Sequence, residues 1–260
     1  MEEMFKSEVF NMVLMTMSVM AVFVFVCLLK VEAGYGVAYT KKWGPAVNNK
    51  LGWVLMEAPA FIAMVVLWLL SDRACDGVRC TMAALFLFHY FQRSFVFPML
   101  IKGKSVMPLS VILMGVTFNT INAYMLAGWL FYVSPADYYG GWSWLMSPMF
   151  IVGLAVFVAG MAINWHSDYI IRHLRKPGDT GHYIPRGGMF RYVTSANYLG
   201  EFMEWCGFAL LTWSWAGAVF ALWTFANLAP RARKLHQRYE REFGDEYKRL
   251  NRRYILPFIY

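Results

Sequence analysis

The chain has 260 residues, of which 59% are hydrophobic, 18% aromatic and 15% charged. Soluble domains carry about 25% charged residues, so this composition excludes an ordinary soluble protein and predicts an integral membrane protein. The net charge of +8 would favour a nucleic-acid partner in a soluble protein. Here the basic residues stand between and after apolar runs, so the charge indicates membrane orientation, and we expect no nucleic acid.

Five apolar runs, each about 20 residues or longer, can cross about 30 Å of hydrocarbon as helices. A last apolar stretch, 198–229, is too long for one crossing, and the aromatic turn at 213–217 predicts that it divides into two helices. The sequence therefore predicts an all-α integral membrane protein with seven transmembrane helices, forming a single domain over residues 1–260. The five runs cover residues 9–30, 51–71, 79–101, 107–133 and 142–165.

The Lys and Arg residues predict the orientation of these helices. An outside N-terminus and a cytosolic C-terminus leave all but four of the 24 Lys and Arg residues on the cytosolic side, as the positive-inside rule requires. We therefore expect a multi-pass monomer in the bacterial inner membrane or the endoplasmic reticulum. Its polar loop at about 166–198 and its basic C-terminal tail face the cytosol. The four exceptions are Lys6, Arg73 and Arg79 outside and Arg93 within a span.

Two cysteines lie in a short loop that this topology places outside the cytosol. Cys75 and Cys80 bracket the residues DGVR. An oxidising compartment allows such a pair to form a disulfide, and the sequence leaves open whether they do. The cysteine and histidine spacings do not indicate a metal site, so we expect none.

An acidic residue at membrane depth is the strongest candidate for catalysis. An ionisable side chain near the membrane centre costs about 2.5–3.5 kcal/mol on insertion, so it needs a partner or a wet cavity. At about 1.5 Å per residue, Glu57 lies about 9 Å and Tyr90 about 16 Å from the cytosolic ends of their spans. We therefore predict that Glu57 and Tyr90 meet in the cytosolic half of the membrane, in a site open to the cytosol.

Other polar residues in the spans have two interpretations. Asn119, Asn122 and His89 are most often hydrogen-bonding links between helices, each contributing about 1 kcal/mol. Arg93 either forms a structural ion pair with Glu57 or belongs to the site. Three aromatic residues close to these positions could line an apolar substrate slot: Trp53, Phe118 and Trp205.

The most polar segment of the chain is NWHSDYIIRHLRKPGDTGHYIPRGGMFRYVTSANYLGE, residues 164–201. It combines Arg, Lys, Asn and Asp, the types that bind phosphates and hydrogen-bond to ribose and amide groups. The sequence has neither GxGxxG after a strand nor GxxxxGK[ST], so side chains would have to hold any nucleotide. These features predict a membrane enzyme that uses an anionic cytosolic cofactor on a lipophilic substrate.

Four motifs resemble the steroid 5α-reductase family (3-oxo-5α-steroid 4-dehydrogenases): segment 164–201, LMEAPAF around Glu57, HYFQRSFVFP around Tyr90, and the ending RYILPFIY. The resemblance implies a seven-helix membrane reductase that takes NADPH from the cytosol. It would reduce the C4–C5 double bond of a 3-oxo-Δ4-steroid. The resemblance also implies that Glu57 and Tyr90 are catalytic, donating hydrogen bonds to the 3-oxo oxygen while hydride goes to C5. The proton donor to C4 is not evident from the sequence.

The same resemblance implies the cofactor contacts. Family members often have an aromatic and a basic residue before the Ile-Pro pair, whereas this chain has His182 and Tyr183. Arg186 could replace the missing basic group, so the sequence leaves the preference for NADPH over NADH open. The implied cofactor-binding residues are Arg93, Lys104, Asn164, Asp168, Arg175, Tyr183, Arg186, Asn197, Glu201, Arg231, His236 and Tyr239.

Three alternatives remain open. A related membrane enoyl or sterol reductase would act on another substrate. The tail RYEREFGDEYKRLNRRY also resembles S-adenosylmethionine-dependent methyltransferases of isoprenylated cysteine, although that interpretation gives no role to Glu57 and Tyr90. A polytopic transporter would use the buried polar groups as a permeation path. It needs access from both faces, and the outer half of the predicted spans is nearly free of ionisable groups.

Overall fold

A computed structural model describes residues 2–31, 40–103, 105–176, 179 and 181–260. The fold is almost entirely helical, as the sequence predicts, with one short antiparallel ribbon. Lys104, one of the expected cofactor residues, lies outside the described residues. The helices are α1 (Ser7–Lys30), α2 (Asn49–Leu69), α3 (Gly77–Phe91), α4 (Phe97–Leu100), α5 (Leu109–Gly128), α6 (Pro148–His173), α7 (Ala196–Thr212), α8 (Trp215–Phe243) and α9 (Asp245–Lys248), and the strands are β1 (Ala46–Asn48) and β2 (Val106–Pro108).

In the described part of the chain, two π-helical turns and four 3₁₀ helices accompany these elements. The π turns Gln92–Val96 and Trp129–Val133 continue α3 and α5 without a break in the chain direction. Pro98 follows the first π turn and cannot donate a backbone hydrogen bond, so the wider turn accommodates its ring. The 3₁₀ helices are Glu2–Phe5, Lys41–Trp43, Gly141–Met146 and Gly188–Arg191.

Within the described residues, the long helices match the predicted spans in number and order when α3, its π turn and α4 are taken together. By length and composition, four are long and apolar enough to cross a membrane: α1, α2, α5 with its π turn, and α6. The helix in the fifth predicted span begins later than expected, at Pro148, and continues to His173. The orientation and the total number of crossings stay predictions.

The long apolar stretch near the end of the chain is divided, as predicted. α7 ends at Thr212, and α8 begins at Trp215. Trp213 has a left-handed backbone with φ of 44°, and the Ser214 hydroxyl accepts a hydrogen bond from Gly217 N at 3.0 Å. A left-handed residue ends a helix and a serine cap begins one. The two features therefore determine where α7 ends and α8 begins.

The chain forms two compact units. The first comprises Met1–Met17, Ala33–Ile151 and Leu211–Gly217, and the second comprises Ser18–Glu32, Val152–Leu210 and Ala218–Tyr260.

In the first unit, α2 packs against α5, and the ribbon joins their N-terminal ends. A Cβ at Gly115 of α5 would lie 2.6 Å from the Met56 sulfur of α2, so a larger residue would have to displace the Met56 side chain. Asn119 lies one helical turn beyond Gly115, on the same face. The close packing therefore brings Asn119 to the α2 turn that carries Glu57.

The loop before α3 is fixed by a buried arginine. Arg79 is 1% exposed; its Nε donates to Leu130 O at 2.7 Å, and its guanidinium contacts the Asp76 carboxylate and lies 5.0 Å from the Tyr139 ring centroid. Cys75 of this loop and Cys80 in the first turn of α3 are free thiols in the structure.

In the second unit, α6 and α7 meet along glycines. A Cβ at Gly160 would lie 2.6 Å from Gly200 O, and a Cβ at Gly200 would lie 2.6 Å from Gly160 O. Small residues of this kind allow helix backbones to touch. This contact lies one turn before Asn164 on α6 and one turn after Asn197 on α7.

The end of the chain returns to the segment before α7. Val193 and Arg253 form a parallel bridge; Thr194 N donates to Arg253 O at 2.8 Å, and Arg253 N donates to Tyr192 O at 2.9 Å. Val193 and Ile255 are fully buried in the apolar core of this unit. This pairing fixes the residues around Arg253 beside those around Thr194.

Candidate active site

The first unit contains a buried chain of hydrogen bonds that joins the two predicted catalytic residues. Asn119 Nδ2 donates to Glu57 Oε2 at 3.1 Å and to Met56 O at 2.7 Å. Tyr90 OH donates to Asn119 Oδ1 at 3.1 Å, and Asn122 Nδ2 donates to Tyr90 OH at 3.1 Å. The sequence predicts that Glu57 and Tyr90 meet, and the structure links them through Asn119. The interpretation of Asn119 and Asn122 as hydrogen-bonding residues between helices is confirmed.

Aromatic rings enclose Tyr90. Its side chain is 3% exposed; the Phe86 ring lies 4.5 Å away, and the His89 ring stands edge-on at 5.1 Å. A phenol in such surroundings is shielded from water, so its hydrogen bonds are stronger than they would be in solvent.

Arg93 lies in the π turn, between two aromatic rings. Its guanidinium carbon is 4.7 Å from the Trp53 ring centroid and 4.6 Å from that of Phe97. Cation–π contacts of this kind hold an arginine in place. They leave its N–H groups directed outward in the plane of the guanidinium. Phe118 is half-buried beside Asn119 on α5. The substrate roles of Trp53 and Phe118 and the cofactor role of Arg93 stay predictions.

In the second unit, α6 and α7 present the predicted amide and carboxyl groups. Asn164 Nδ2 donates to Asn197 O at 2.9 Å across the glycine contact. Asp168 lies one turn further along α6 and is 6% exposed, and Glu201 lies one turn beyond Asn197 on α7 and is half-buried. Because α6 continues to His173, Asn164 and Asp168 share one helix face, as expected. Arg175 follows the helix end and is exposed.

The loop after α6 is held by a carboxylate. Asp179 accepts hydrogen bonds from Gly181 N and Tyr183 OH, both at 2.7 Å. These donors stabilise the ionised form and lower the pKa of Asp179, and the same bond to Asp179 raises the pKa of Tyr183. Tyr183, predicted to contact the cofactor, is exposed and bonded to its own loop.

Two ion pairs join this loop to the tail helices. His182 Nδ1 lies 2.6 Å from Glu242 Oε1, and Arg186 Nη2 donates to Glu246 Oε1 at 2.7 Å. The hydrogen bond from His182 lowers the pKa of Glu242. Both pairs are exposed to solvent, so each contributes little to stability.

The tail forms a second buried polar cluster. Thr194 Oγ1 lies 2.6 Å from both His236 Nδ1 and Tyr247 OH. Burial lowers the pKa of His236, which favours the neutral ring at neutral pH. Burial also raises the pKa of Tyr239, whose ring meets that of Tyr247 at 5.3 Å, to about 12. His236 and Tyr239, both predicted from the family motif, therefore lie close to Tyr247.

Arg252 is a buried cation that the sequence did not single out. It is 7% exposed; its Nη2 donates to Pro185 O at 2.8 Å, while its Nε and Nη1 have no acceptor among the described residues. A guanidinium with buried, unpaired donors fits an anionic ligand. Burial lowers the pKa of Arg252, and it lowers the pKa of Arg231 to about 10, so Arg231 stays charged at neutral pH.

Trp205 occupies a different setting from the one expected. It is 1% exposed, and its ring packs 4.3 Å from Phe220 and 5.8 Å from Phe208. These contacts are those of a core residue of the second unit. A role in lining the substrate slot stays a prediction.

The residues that sequence reasoning missed are Thr194, Tyr247 and Arg252. Thr194 lies inside segment 164–201. Tyr247 and Arg252 lie in the tail motif RYEREFGDEYKRLNRRY, which also contains Tyr239. The sequence signal for Arg252 was its position directly before the matched ending RYILPFIY, whereas its burial is known only from the structure.

Apolar helices long enough to cross a membrane, together with two buried polar clusters, define a helical membrane protein with the features of an enzyme. A sequence model of the family described as 3-oxo-5-alpha-steroid 4-dehydrogenase matches residues 105–260. The chain is 42% identical to human 3-oxo-5-alpha-steroid 4-dehydrogenase 1 over 82% of its length and 81% of the relative's. It is 35% identical to steroid 5-alpha-reductase DET2 of Arabidopsis thaliana over the whole of both chains.

The mouse 3-oxo-5-alpha-steroid 4-dehydrogenase 1 is 42% identical, over 90% of this chain and 91% of the relative. The chain therefore belongs to the 3-oxo-5-alpha-steroid 4-dehydrogenase family, and it is an oxidoreductase. The predicted family resemblance is confirmed.

Proposed function

We propose that this enzyme reduces the C4–C5 double bond of a 3-oxo-Δ4-steroid to the 5α-dihydrosteroid, with NADPH as the reductant. The observation that carries the proposal is the Asn119 link between Glu57 and Tyr90, because it holds two potential donors for one carbonyl oxygen. The names of the relatives, which specify a 3-oxo-5-alpha-steroid and a steroid 5-alpha reduction, support this substrate and this reaction.

A hydrogen-bonded ketone is the centre of the proposed reaction. The carboxyl of Glu57, in its protonated form, and the phenol of Tyr90 donate to the 3-oxo oxygen. Both bonds draw electron density towards that oxygen, so C5 becomes electrophilic and accepts hydride on its α face. The C4–C5 π electrons then move to form an enolate at C3, which the same two donors stabilise. A proton added to C4 completes the reduction.

The second unit has the side chains that would hold NADPH, which when bound supplies the hydride. Asn164, Asn197, Asp168 and Glu201 can hydrogen-bond to its ribose and carboxamide groups. Cationic side chains would neutralise its phosphates, and the unpaired nitrogens of Arg252 support an anion there. The proposed cations of the second unit are Arg175, Arg186, Arg231 and Arg252, with Tyr183, His236 and Tyr239 as further contacts. Arg93 of the first unit is proposed as a further cofactor contact on the family resemblance alone.

The direct test uses the purified full-length chain in detergent with NADPH and either testosterone or progesterone. We expect one 5α-dihydrosteroid formed for each NADPH oxidised, identified by mass and by comparison with the 5α and 5β standards. Bound NADPH without steroid reduction would contradict the substrate and favour an enoyl or sterol reductase. Methyl transfer from S-adenosylmethionine to a prenylcysteine would favour the methyltransferase alternative.

The proposed membrane setting has its own test. We propose a monomer with an outside N-terminus and a cytosolic C-terminus, which takes its lipophilic substrate from the bilayer. Cys75 is an exposed thiol in the loop predicted to lie outside. A membrane-impermeant thiol reagent should therefore label intact cells or sealed right-side-out vesicles, and Cys75→Ser should abolish that labelling. Labelling only after permeabilisation would contradict the orientation.

A further inference from the structure

One amide, that of Asn119, contacts both proposed acid groups of the first unit. Its Nδ2 donates to Met56 O at 2.7 Å and to Glu57 Oε2 at 3.1 Å, and its Oδ1 accepts from Tyr90 OH at 3.1 Å. A backbone carbonyl can only accept hydrogen bonds, so Met56 O determines which end of the amide faces α2. The orientation of Asn119 is therefore fixed by the chain itself.

This orientation determines the direction of the hydrogen bonds of Tyr90. A phenol has one proton, and here it points to Asn119 Oδ1. The group of Asn122 that faces the phenol oxygen must then be a donor, which agrees with Nδ2 at 3.1 Å. Asn122 is 0% exposed, so water does not compete for this position. Tyr90 accepts from Asn122, and its proton points to Asn119 Oδ1, the amide whose nitrogen contacts Glu57.

The same orientation determines which carboxyl oxygen of Glu57 can be an acid. Both hydrogens of Asn119 Nδ2 are used, one by Met56 O and one by Glu57 Oε2. An oxygen that accepts this bond favours the carbonyl role in the protonated carboxyl, so the acid proton belongs on Oε1. Oε1 is thus the oxygen that donates to a ketone.

We infer that Asn119 and Asn122 are positioning residues for ketone activation. Asn119 keeps the acid proton of Glu57 on Oε1, and its Oδ1 holds the Tyr90 proton until the ketone oxygen replaces it as acceptor. Because Asn122 donates to the phenol oxygen, the phenol proton cannot point towards Asn122 and stays directed at Asn119 Oδ1. This inference rests on the proposed function, because it assigns both amides an action through Glu57 and Tyr90. The competing explanation is that they only bind α5 to α2 and α3.

The first experiment compares Asn119→Leu with Thr120→Val. Thr120 is the next residue on α5, and its hydroxyl donates to Val116 O at 2.8 Å within the same helix, so its replacement removes a polar group outside the network. A displacement of about 1 Å in a reacting group costs about 100-fold in rate. We therefore expect Asn119→Leu to lower kcat by about 10- to 100-fold, with unchanged NADPH affinity, and Thr120→Val to match the wild type.

The second variant, Asn119→Asp, has a side chain nearly isosteric with asparagine. It therefore changes the hydrogen bonding without removing the packing volume, so it tests the inference even where Asn119→Leu misfolds. An ionised carboxylate at this position cannot donate to Met56 O or to Glu57, whereas a protonated one can donate once and still accept from Tyr90. We expect the kcat of Asn119→Asp to rise relative to the wild type as the pH falls. A residue that only links helices gives no such pH dependence, and a constant ratio of the two kcat values would contradict the inference.

The third measurement combines Asn119→Leu with Tyr90→Phe. If Asn119 acts through Tyr90 and Glu57, the double variant should lose less than about 3-fold in kcat relative to Tyr90→Phe, because residues that act as a unit are not additive. Equal losses in both backgrounds would overturn the inference.

The outcomes separate this inference from the proposed function. A wild type that reduces no 3-oxo-Δ4-steroid overturns both. An active wild type together with an equally active Asn119→Leu variant overturns this inference alone and leaves the proposed function in place.

Discussion

The two units place polar groups in contrasting surroundings. In the first unit, Glu57, Tyr90 and two amides share a small network among apolar helices, where each hydrogen bond has one donor and one acceptor fixed by its neighbours. In the second unit, charged side chains of the loop and tail pair at the surface, as Arg186 does with Glu246. The network of the first unit contains few groups, and the surface of the second unit carries many charged ones.

The difference has physical consequences. In an apolar setting each hydrogen bond is strong, and a lost partner leaves a polar group unsatisfied, so the first unit should be sensitive to single atoms and insensitive to salt. Exposed ion pairs are weak and screened, so the surface pairs of the second unit should tolerate substitution and respond to salt. Asp168, Arg231, Arg252 and the Thr194 cluster differ from these surface pairs, because they are buried or partly buried. Four variants test this contrast.

The largest effect is expected from removing one hydroxyl in the first unit. Tyr90→Phe should lower kcat by about 10²- to 10⁴-fold, because acid hydrogen bonding to the ketone is lost, with NADPH affinity unchanged. Tyr124→Phe is the matched control, since the Tyr124 hydroxyl on α5 donates to Met4 O at 2.6 Å outside the network. Steady-state kinetics with a 3-oxo-Δ4-steroid measure both. If Tyr90→Phe turned over like Tyr124→Phe, Tyr90 would have no catalytic role.

The next effect concerns the buried cation of the second unit. Charge-assisted hydrogen bonds contribute about 1.5–3 kcal/mol, so Arg252→Met should raise the Kd of NADPH about 10- to 100-fold. Fluorescence titration of the bound cofactor measures this. Arg249→Met removes a nearby exposed arginine and should change the Kd little. Equal affinities in the two variants would remove Arg252 from the cofactor site.

A smaller effect is expected from an exposed cation. Arg175→Ala should raise the Kd of NADPH a few-fold at low ionic strength, and the difference from the wild type should shrink as salt is added. Titrations at a series of salt concentrations measure it. Tyr90→Phe, by comparison, should keep the same defect in kcat at every salt concentration. A salt-independent effect of Arg175→Ala would contradict the expected difference in salt response between the two units.

The smallest effect concerns the pair of His182 with Glu242. The pKa of Glu242 is lowered in the folded chain, so the pair stabilises the fold above the usual glutamate pKa, and that stability is lost as the pH falls through the lowered value. Glu242→Gln should therefore lower stability by less than about 1 kcal/mol near neutral pH. Its unfolding temperature should approach that of the wild type in acid. Asp245→Asn is an exposed control, and a difference that grows in acid would contradict this sign.

Hydrophobic patterning predicted the helices well. The apolar runs and the break near Trp213 follow from local composition, because a helix in an apolar setting depends on residues close in sequence. The fifth run was predicted to end at 165, and its helix continues to His173. The later start of α6 was not predicted. The run from Trp142 has no charged residue to mark a boundary, and Pro148 is more favourable in the first turn of a helix than in its interior.

The site was predicted only in part. Glu57 and Tyr90 stand out because an acid or a phenol at membrane depth is costly. Asn119 did not stand out as the link between them, because that role depends on the close approach at Gly115. The places of Arg252 and Thr194 depend on backbone pairing of segments about sixty residues apart, such as Thr194 N with Arg253 O. No local pattern carries such information.

The contact of Gly160 with Gly200 has a consequence for ligand binding. Where main-chain atoms of two helices touch, no rotamer can change the separation, so Asn164 and the Asn197 backbone are held at a distance set by van der Waals contact. The Asn164 amide is therefore preorganised, and in the proposed cofactor site its binding would cost little additional conformational entropy. A methyl group added at Gly200 would act on that site without touching the cofactor.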